Sequence, residues 1–140
     1  MANVLISGAS GLIGNALTES LLSKGHSVKH LGRKENLEKK TQCYKWDIAN
    51  GFIDPRAFEN IDTVVHLAGA GVMDKRWTGE RKKEITESRV QSGKLLVQEI
   101  NKRKDQVKTF VGSSAIGFYG AITNNTIYTE EMASAGDYMG

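Results

Sequence analysis

The chain has 140 residues, of which 25% are charged and 39% hydrophobic, and its formal net charge is +3 from 19 basic and 16 acidic side chains. This length supports one domain with a hydrophobic core but not two, and so small a charge does not indicate a nucleic-acid partner. No window holds the roughly 18 consecutive apolar residues of a membrane span, and the first residues lack the pattern of a signal peptide. With a single cysteine, Cys43, these features predict a cytoplasmic protein without an internal disulfide.

Hydrophobic runs and periodicity predict strands and helices that alternate along the chain. In chain order we expect a strand at 3–7, a helix at 12–24, strands at 27–31, 42–46 and 63–67, a helix at 78–103 and a strand at 108–113. The polar loop 50–60 is predicted to hold a short helical turn. This alternation favours βαβ units, and therefore an α/β fold with a doubly wound parallel sheet. Residues 120–140 form a long polar tail, so we expect the chain to be the N-terminal part of a longer protein.

A glycine-rich turn joins the first strand to the first helix. The apolar run 4–6 is typical of a central strand that is buried on both faces. Gly8 permits a tight turn, Gly11 lets a pyrophosphate approach the backbone, and Gly14 lets the helix pack closely. Unpaired N–H groups and the helix dipole attract phosphate at the start of a helix. The turn therefore predicts a dinucleotide site rather than an ordinary glycine-rich turn. The residues assigned to this site are Gly8, Ser10, Gly11, Leu12, Ile13 and Gly14.

The first helix itself is predicted to be amphipathic. Its apolar positions are Leu12, Ile13, Ala16, Leu17, Leu21 and Leu22, and Gly25 is expected to end it. We expect this apolar face to pack on the sheet.

The second strand ends in Gly32 and Arg33, where dinucleotide enzymes select their cofactor. An acidic residue here would bind the ribose hydroxyls of NAD, whereas a small residue followed by Arg accommodates a 2′-phosphate. The pair therefore indicates NADP more than NAD. The alternative is a solvent-exposed arginine in a loop without a ligand.

Two further strand ends carry candidate cofactor contacts. Asp47 could accept a hydrogen bond from the adenine amino group and Ile48 could cover the ring, although Asp is also a common turn former. The small residues that begin at Ala68 and Gly69 let the backbone run beside a cofactor. His66 lies inside the apolar run before them, which favours a buried structural histidine over a catalytic one.

The last predicted strand ends in Ser113 and Ser114. Ligands of open α/β sheets bind at the carboxyl ends of the strands, so either hydroxyl could bind a substrate carbonyl or alcohol beside the nicotinamide. A serine hydrolase is excluded here because the Gly-x-Ser-x-Gly nucleophile elbow is missing.

Taken together, segments 7–14 and 62–69, with Ser113-Ser114 followed by Tyr119-Gly120, resemble the extended short-chain dehydrogenase/reductase superfamily, which includes nucleoside-diphosphate-sugar epimerases. The classical dehydrogenase fingerprint would have glycine in place of Ser10. Within the superfamily, the chain is similar to an atypical branch whose members are described as epimerase family proteins. The segments that carry this narrower likeness are Arg76-Trp77-Thr78, Lys83-Glu84-Ile85, Ser88-Arg89, 115–120 and Thr129-Glu130.

The resemblance implies a Rossmann domain over residues 1–140, followed in the family by a small C-terminal substrate domain that this chain lacks. It also implies which residues bind NADP. These are Gly32, Arg33, Leu67, Ala68, Glu84 and Arg89.

The resemblance further implies a catalytic Ser, Tyr and Lys. Ser114 matches the serine, although one extra residue precedes Tyr119, and Tyr138 lies near the place of the tyrosine. The lysine would fall at the second residue beyond Gly140. The branch often has Phe for this Tyr and usually lacks the Lys. A tyrosinate would act as acid or base, and the serine would orient the substrate oxygen.

These features predict an NADP-binding oxidoreductase or epimerase-like enzyme, which exchanges a hydride with a carbonyl or alcohol carbon of a small molecule such as a nucleotide sugar. The chain alone is expected to be inactive. The alternative is a non-catalytic NADP-binding protein with a structural or sensing role, and a weaker third hypothesis is a flavin or NAD binder. We expect no metal and no nucleic-acid or membrane partner, and the sequence does not indicate an oligomeric state.

Overall fold

The computed structural model describes residues 1–38, 40–120 and 125–138. Within these ranges, six strands form one sheet and two helices pack on it. The strands are β1 (Asn3–Ser7), β2 (Ser27–Gly32), β3 (Cys43–Asp47), β4 (Phe52–Ile53), β5 (Thr63–His66) and β6 (Thr109–Gly112). The helices are α1 (Leu12–Ser23) and α2 (Gly79–Asn101), with short 3₁₀ turns at Pro55–Phe58 and Ile116–Tyr119.

The strand order across the sheet is β4-β3-β2-β1-β5-β6. Strands β3, β2, β1, β5 and β6 are parallel, with Leu5 of β1 opposite Lys29 on one side and Val64 on the other. The predicted fold class is confirmed, and the structure adds one strand that the sequence did not predict, β4, which pairs antiparallel with β3 at the edge of the sheet. The chain reverses through Gly51, whose φ is +62°, and only two residues pair. So short a strand shows no periodicity in a sequence.

Helices α1 and α2 cover opposite faces of the sheet. Val4 and Ile6 belong to a core that Leu17, Leu21 and Leu22 of α1 pack against. Leu5, between them, belongs to a second core with Leu95 and Leu96 of α2. Since successive residues of a strand point to opposite faces, β1 is buried on both sides, as the apolar run 4–6 predicts.

The first turn of α1 differs from the prediction. Leu12 is 89% exposed and Ile13 is 67% exposed, and Ala16 in the next turn is exposed as well, so these three do not belong to the apolar face. Helix α1 begins beyond the carboxyl end of β1, and its first turn extends past the sheet that its later leucines cover.

The bounds of the remaining strands and helices agree with the predicted bounds to within about two residues. The loop 50–60 holds the predicted turn at Pro55–Phe58, and residues 125–138 contain no helix or strand. The parts of the predicted tail at 121–124 and 139–140, and Lys39, lie outside the described residues. Of the described helices, neither has the length and apolar character to cross a membrane.

Two glycines let the backbone of three elements meet at one point. Gly8 has a φ of +76°, and a Cβ there would lie 2.7 Å from the backbone nitrogen of Ala68. A Cβ at Gly14 would lie 2.5 Å from the carbonyl oxygen of Gly8 and 2.6 Å from the Cα of Ala9. Real Cβ atoms do not approach backbone atoms so closely, so these contacts fix the end of β1 against both α1 and the end of β5.

We expect Gly14→Ala to lower the free energy of unfolding by about 2 kcal/mol or more, because the new methyl group meets backbone that cannot move aside. The matched control is Gly93→Ala in α2, where a Cβ meets nothing within 4 Å. There alanine should stabilise the helix by about 0.5 to 1 kcal/mol. Urea unfolding of both variants measures the two effects. A Gly14→Ala protein as stable as the wild type would contradict this account of the turn.

Candidate functional site

A cavity of about 550 Å³ lies beyond the carboxyl ends of β1, β2 and β5. This edge is where open α/β sheets bind their ligands. Most residues that sequence reasoning assigned to a cofactor line it. They are Gly8, Ser10, Gly11, Gly32, Arg33, Ile48, Leu67, Ala68, Gly69 and Glu84.

The start of α1 forms one end of this cavity. Gly11 is the N-cap, its carbonyl accepts the N–H of Asn15 at 2.9 Å, and no side chain of the described residues caps the helix. The N–H groups of the first turn are therefore available to an anion. Leu12, Ile13 and Gly14 do not line the cavity with their side chains. Their assigned role therefore depends on their backbone N–H groups, and it stays a prediction.

Arg33 lies at the end of β2 with its side chain exposed, and it forms no ion pair with any described residue. A second cavity, of about 720 Å³, lies on the other side of this strand end and is lined by Lys34 and Lys40 among others. Gly32 borders both cavities, and a Cβ there would lie 2.7 Å from the Sγ of Cys43. Basic side chains therefore outnumber acidic ones where the sequence predicts a 2′-phosphate, since the carboxylate of this lining, Glu35, is paired with Arg56 at 2.6 Å.

Asp47 and Ile48, at the end of β3, have different environments. The Asp47 carboxylate accepts hydrogen bonds from the backbone N–H of Asn50 at 3.2 Å and from its side-chain amide at 2.9 Å. These bonds, with the side-chain one foremost, lower the pKa of Asp47. Asp47 thus stabilises a turn, whereas Ile48 lines the cavity. The adenine contact assigned to Asp47 remains a prediction.

His66 bridges three elements behind the cavity. Its Nδ1 lies 2.6 Å from the hydroxyl of Ser7 in β1, and its Nε2 lies 3.0 Å from the hydroxyl of Ser92 in α2. The Ser92 hydroxyl donates its hydrogen to backbone carbonyls of α2, Ser88 at 2.6 Å among them, so it accepts from Nε2–H. Burial, and then the nearby Arg89, lower the pKa of His66. This geometry is that of a neutral structural histidine.

Helix α2 holds the loop that follows β5. The Ser88 hydroxyl accepts the N–H of Ala70 at 3.0 Å, and Arg89 donates from Nη1 to the carbonyl of Ala70 at 3.1 Å. A Cβ at Gly69 would meet the Arg89 guanidinium at 3.0 Å. Arg89 therefore supports the loop from outside the cavity lining, and the contact with the cofactor phosphates assigned to it remains a prediction.

Sequence reasoning missed Arg81, which also lines the cavity and is only 7% exposed. Its Nη1 donates to the Glu84 carboxylate at 2.6 Å and its Nη2 donates to the carbonyl of Gly71. The bond from Arg81 lowers the pKa of Glu84. An Arg and a Glu three residues apart on a helix are neighbours, and that spacing was the available signal.

The two assigned catalytic residues do not line the cavity. Ser114 is exposed just after β6. The Tyr138 hydroxyl donates to the carbonyl of Lys82 at 2.7 Å, and the ring packs edge-on against Trp77 with a centroid distance of 5.5 Å. Their catalytic roles stay predictions.

Comparisons with known proteins agree with this geometry. The profile of the NAD dependent epimerase/dehydratase family matches residues 4–139. An epimerase family protein of Mycobacterium bovis, Mb2239, is 32% identical over 138 residues, which are 97% of this chain and 44% of the relative. The chain thus spans less than half the length of the curated relatives that it matches.

Solved structures share the fold. Human epimerase family protein SDR39U1, determined with NADPH, has a TM-score of 0.79 and 28% identity, and the match covers 98% of this chain and 44% of that one. UDP-glucose 4-epimerase from Bifidobacterium longum, determined with NAD⁺ and UDP, has a TM-score of 0.74 and 28% identity, and the match covers 96% and 43% of the two chains. The likeness to short-chain dehydrogenase/reductase epimerases predicted from the sequence is confirmed, and the chain belongs to the NAD dependent epimerase/dehydratase family.

Proposed function

We propose that this chain is the NADP-binding domain of an oxidoreductase or epimerase-like enzyme. The observation that carries the proposal is that one cavity is lined both by the helix start at Gly11, which no described side chain caps, and by Arg33, which forms no ion pair with a described residue. The first supplies backbone N–H groups for a pyrophosphate, and the second supplies a guanidinium fork that fits a phosphate. Sequence relatives and structural neighbours of the same family support this proposal.

The residues that line the cavity also suit a dinucleotide. Gly8 and Gly11 leave the backbone of the turn bare, so a pyrophosphate can reach the N–H groups of α1 without meeting a Cβ. Ile48 offers an apolar surface to an adenine ring. Leu67 and Ala68 let the backbone after β5 run beside the other half of the cofactor.

The bound nicotinamide would exchange a hydride with a carbonyl or alcohol carbon of the substrate. We infer that Ser114 orients the substrate oxygen and that Tyr138 transfers a proton, with the substrate-binding domain outside these 140 residues. The substrate class proposed is a nucleotide sugar, because UDP-glucose 4-epimerase shares the fold.

One observation favours a second function, a non-catalytic NADP-binding protein. The Tyr138 hydroxyl is bonded to the carbonyl of Lys82 and its ring to Trp77, on the outside of α2 and away from the cavity lining. Such a tyrosine would stabilise the end of the chain rather than transfer a proton.

Arg33→Ala tests the choice of cofactor. Hydrogen bonds to charged groups contribute about 1.5 to 3 kcal/mol, so we expect NADPH to bind about 10-fold to 100-fold more weakly. Affinity for NADH should not change, because that molecule lacks the 2′-phosphate. Fluorescence titration measures both constants, and Lys104→Ala, an exposed charge after α2, is the control. An equal loss for both cofactors, or no loss for NADPH, would refute NADP selection by Arg33.

We also expect the 140-residue chain to bind NADPH without oxidising it. Neither assigned catalytic side chain lines the cavity, and the chain spans 44% of its relative Mb2239. The measurement is nicotinamide absorbance during incubation with UDP-sugars and simple carbonyl compounds. A carbonyl reductase that consumes NADPH with the same compounds is the positive control. A steady turnover by this chain would show that the catalytic site lies within it.

A further inference from the structure

Arg81 is a buried cation in the wall of the proposed cofactor cavity. It lies in the first turn of α2, where its N–H bonds the N-cap hydroxyl of Thr78 at 3.1 Å. Its side chain is 7% exposed, and its Nε is buried without a hydrogen-bond partner among the described residues. A buried charge is costly unless other groups compensate for it, so its surroundings indicate what it does.

Two carboxylates lie beside Arg81 and line the same cavity. Glu84 Oε2 is 2.6 Å from Nη1, and Asp74 Oδ2 is 3.7 Å from Nη2. Both carboxylates are more than half exposed. Without Arg81 they would present two negative charges to an anionic dinucleotide, and like charges at one site disfavour binding. Arg81 carries one positive charge, and its 2.6 Å contact directs that charge to Glu84 rather than to the more distant Asp74.

The contacts of Arg81 also fix the geometry of this wall. Its two terminal nitrogens bond two different elements, Glu84 of α2 and the carbonyl of Gly71 in the loop after β5. The planar fork of an arginine can hold both partners at once, which a lysine ammonium cannot match. Only Oε2 of Glu84 takes part in this bond. The other oxygen, Oε1, has no hydrogen-bond partner among the described residues, so it could accept a hydrogen bond from a ribose hydroxyl.

We propose that Arg81 is a positioning residue of the cofactor site, which orients the Glu84 carboxylate toward the cavity and cancels its charge so that a dinucleotide can enter. This inference rests on the proposed function, because it assumes that the cavity binds a dinucleotide. It assigns to Arg81 a role that acts through Glu84 rather than by contact with the cofactor.

The test is a double-mutant cycle on the full chain, with NADPH and NADH affinities measured by titration for Arg81→Gln, Glu84→Gln and the double variant. We expect Arg81→Gln to weaken NADPH binding by about tenfold, because the Glu84 charge is then uncompensated. The double variant should bind within about threefold of Glu84→Gln alone, because the carboxylate that Arg81 holds at hydrogen-bond distance has gone and Asp74 is the more distant partner. Lys83→Gln removes the same charge from the exposed side of this helix and should bind like the wild type.

Thermal unfolding of each variant separates binding from stability. The inference is overturned if the losses in NADPH binding free energy of the single variants add in the double variant. It is also overturned if Arg81→Gln binds NADPH as tightly as Lys83→Gln does. If Arg81→Gln does not fold, the same cycle is measured with Arg81→Lys and Arg81→Lys/Glu84→Gln. Additive losses of NADPH binding in that cycle again overturn the inference. A wild-type protein that binds neither NADPH nor NADH overturns the proposed function, and this inference with it. If the wild type binds NADPH but the losses in binding free energy of the two single variants add in the double variant, the inference about Arg81 is overturned and the proposed function stands.

Discussion

The backbone of Gly8 lies so close to the backbone of Leu67 and Ala68 that no Cβ fits between them. The same glycine presents its carbonyl oxygen to Gly14, at a distance that again excludes a side chain. The end of β1, the start of α1 and the end of β5 are therefore fixed to one another by backbone contacts. The cavity exists because these three points meet and leave the N–H groups of α1 facing an open space.

Hydrogen bonds also connect these strand ends to α2. His66 joins β1 and β5 to Ser92 of α2. Nearer the start of the helix, Ser88 and Arg89 bond Ala70 and Arg81 bonds Gly71, both in the loop after β5. The far wall of the cavity is thus a loop attached to a helix at several hydrogen bonds, rather than a packed apolar surface.

The sequence predicted the parallel strands, both helices and the glycine turn because each has a local signature, either an apolar run or a residue that the backbone requires. It did not predict β4, since two paired residues have no period, or the exposure of Leu12 and Ile13, which depends on where the sheet ends. Arg81 was missed for a related reason. A charged residue at the start of a helix resembles a solvated one until the loop that buries it is placed.

The central claim is that a dinucleotide binds with its pyrophosphate at the start of α1. Backbone amide chemical shifts, followed by NMR during an NADPH titration, test this directly. The account predicts that the largest changes occur at the amides of Gly11, Leu12 and Ile13, while those of Gln106 and Val107 at the opposite edge of the sheet stay constant. Saturation with NADPH that leaves the glycine turn unchanged, or that shifts mainly the residues of β6, would contradict it.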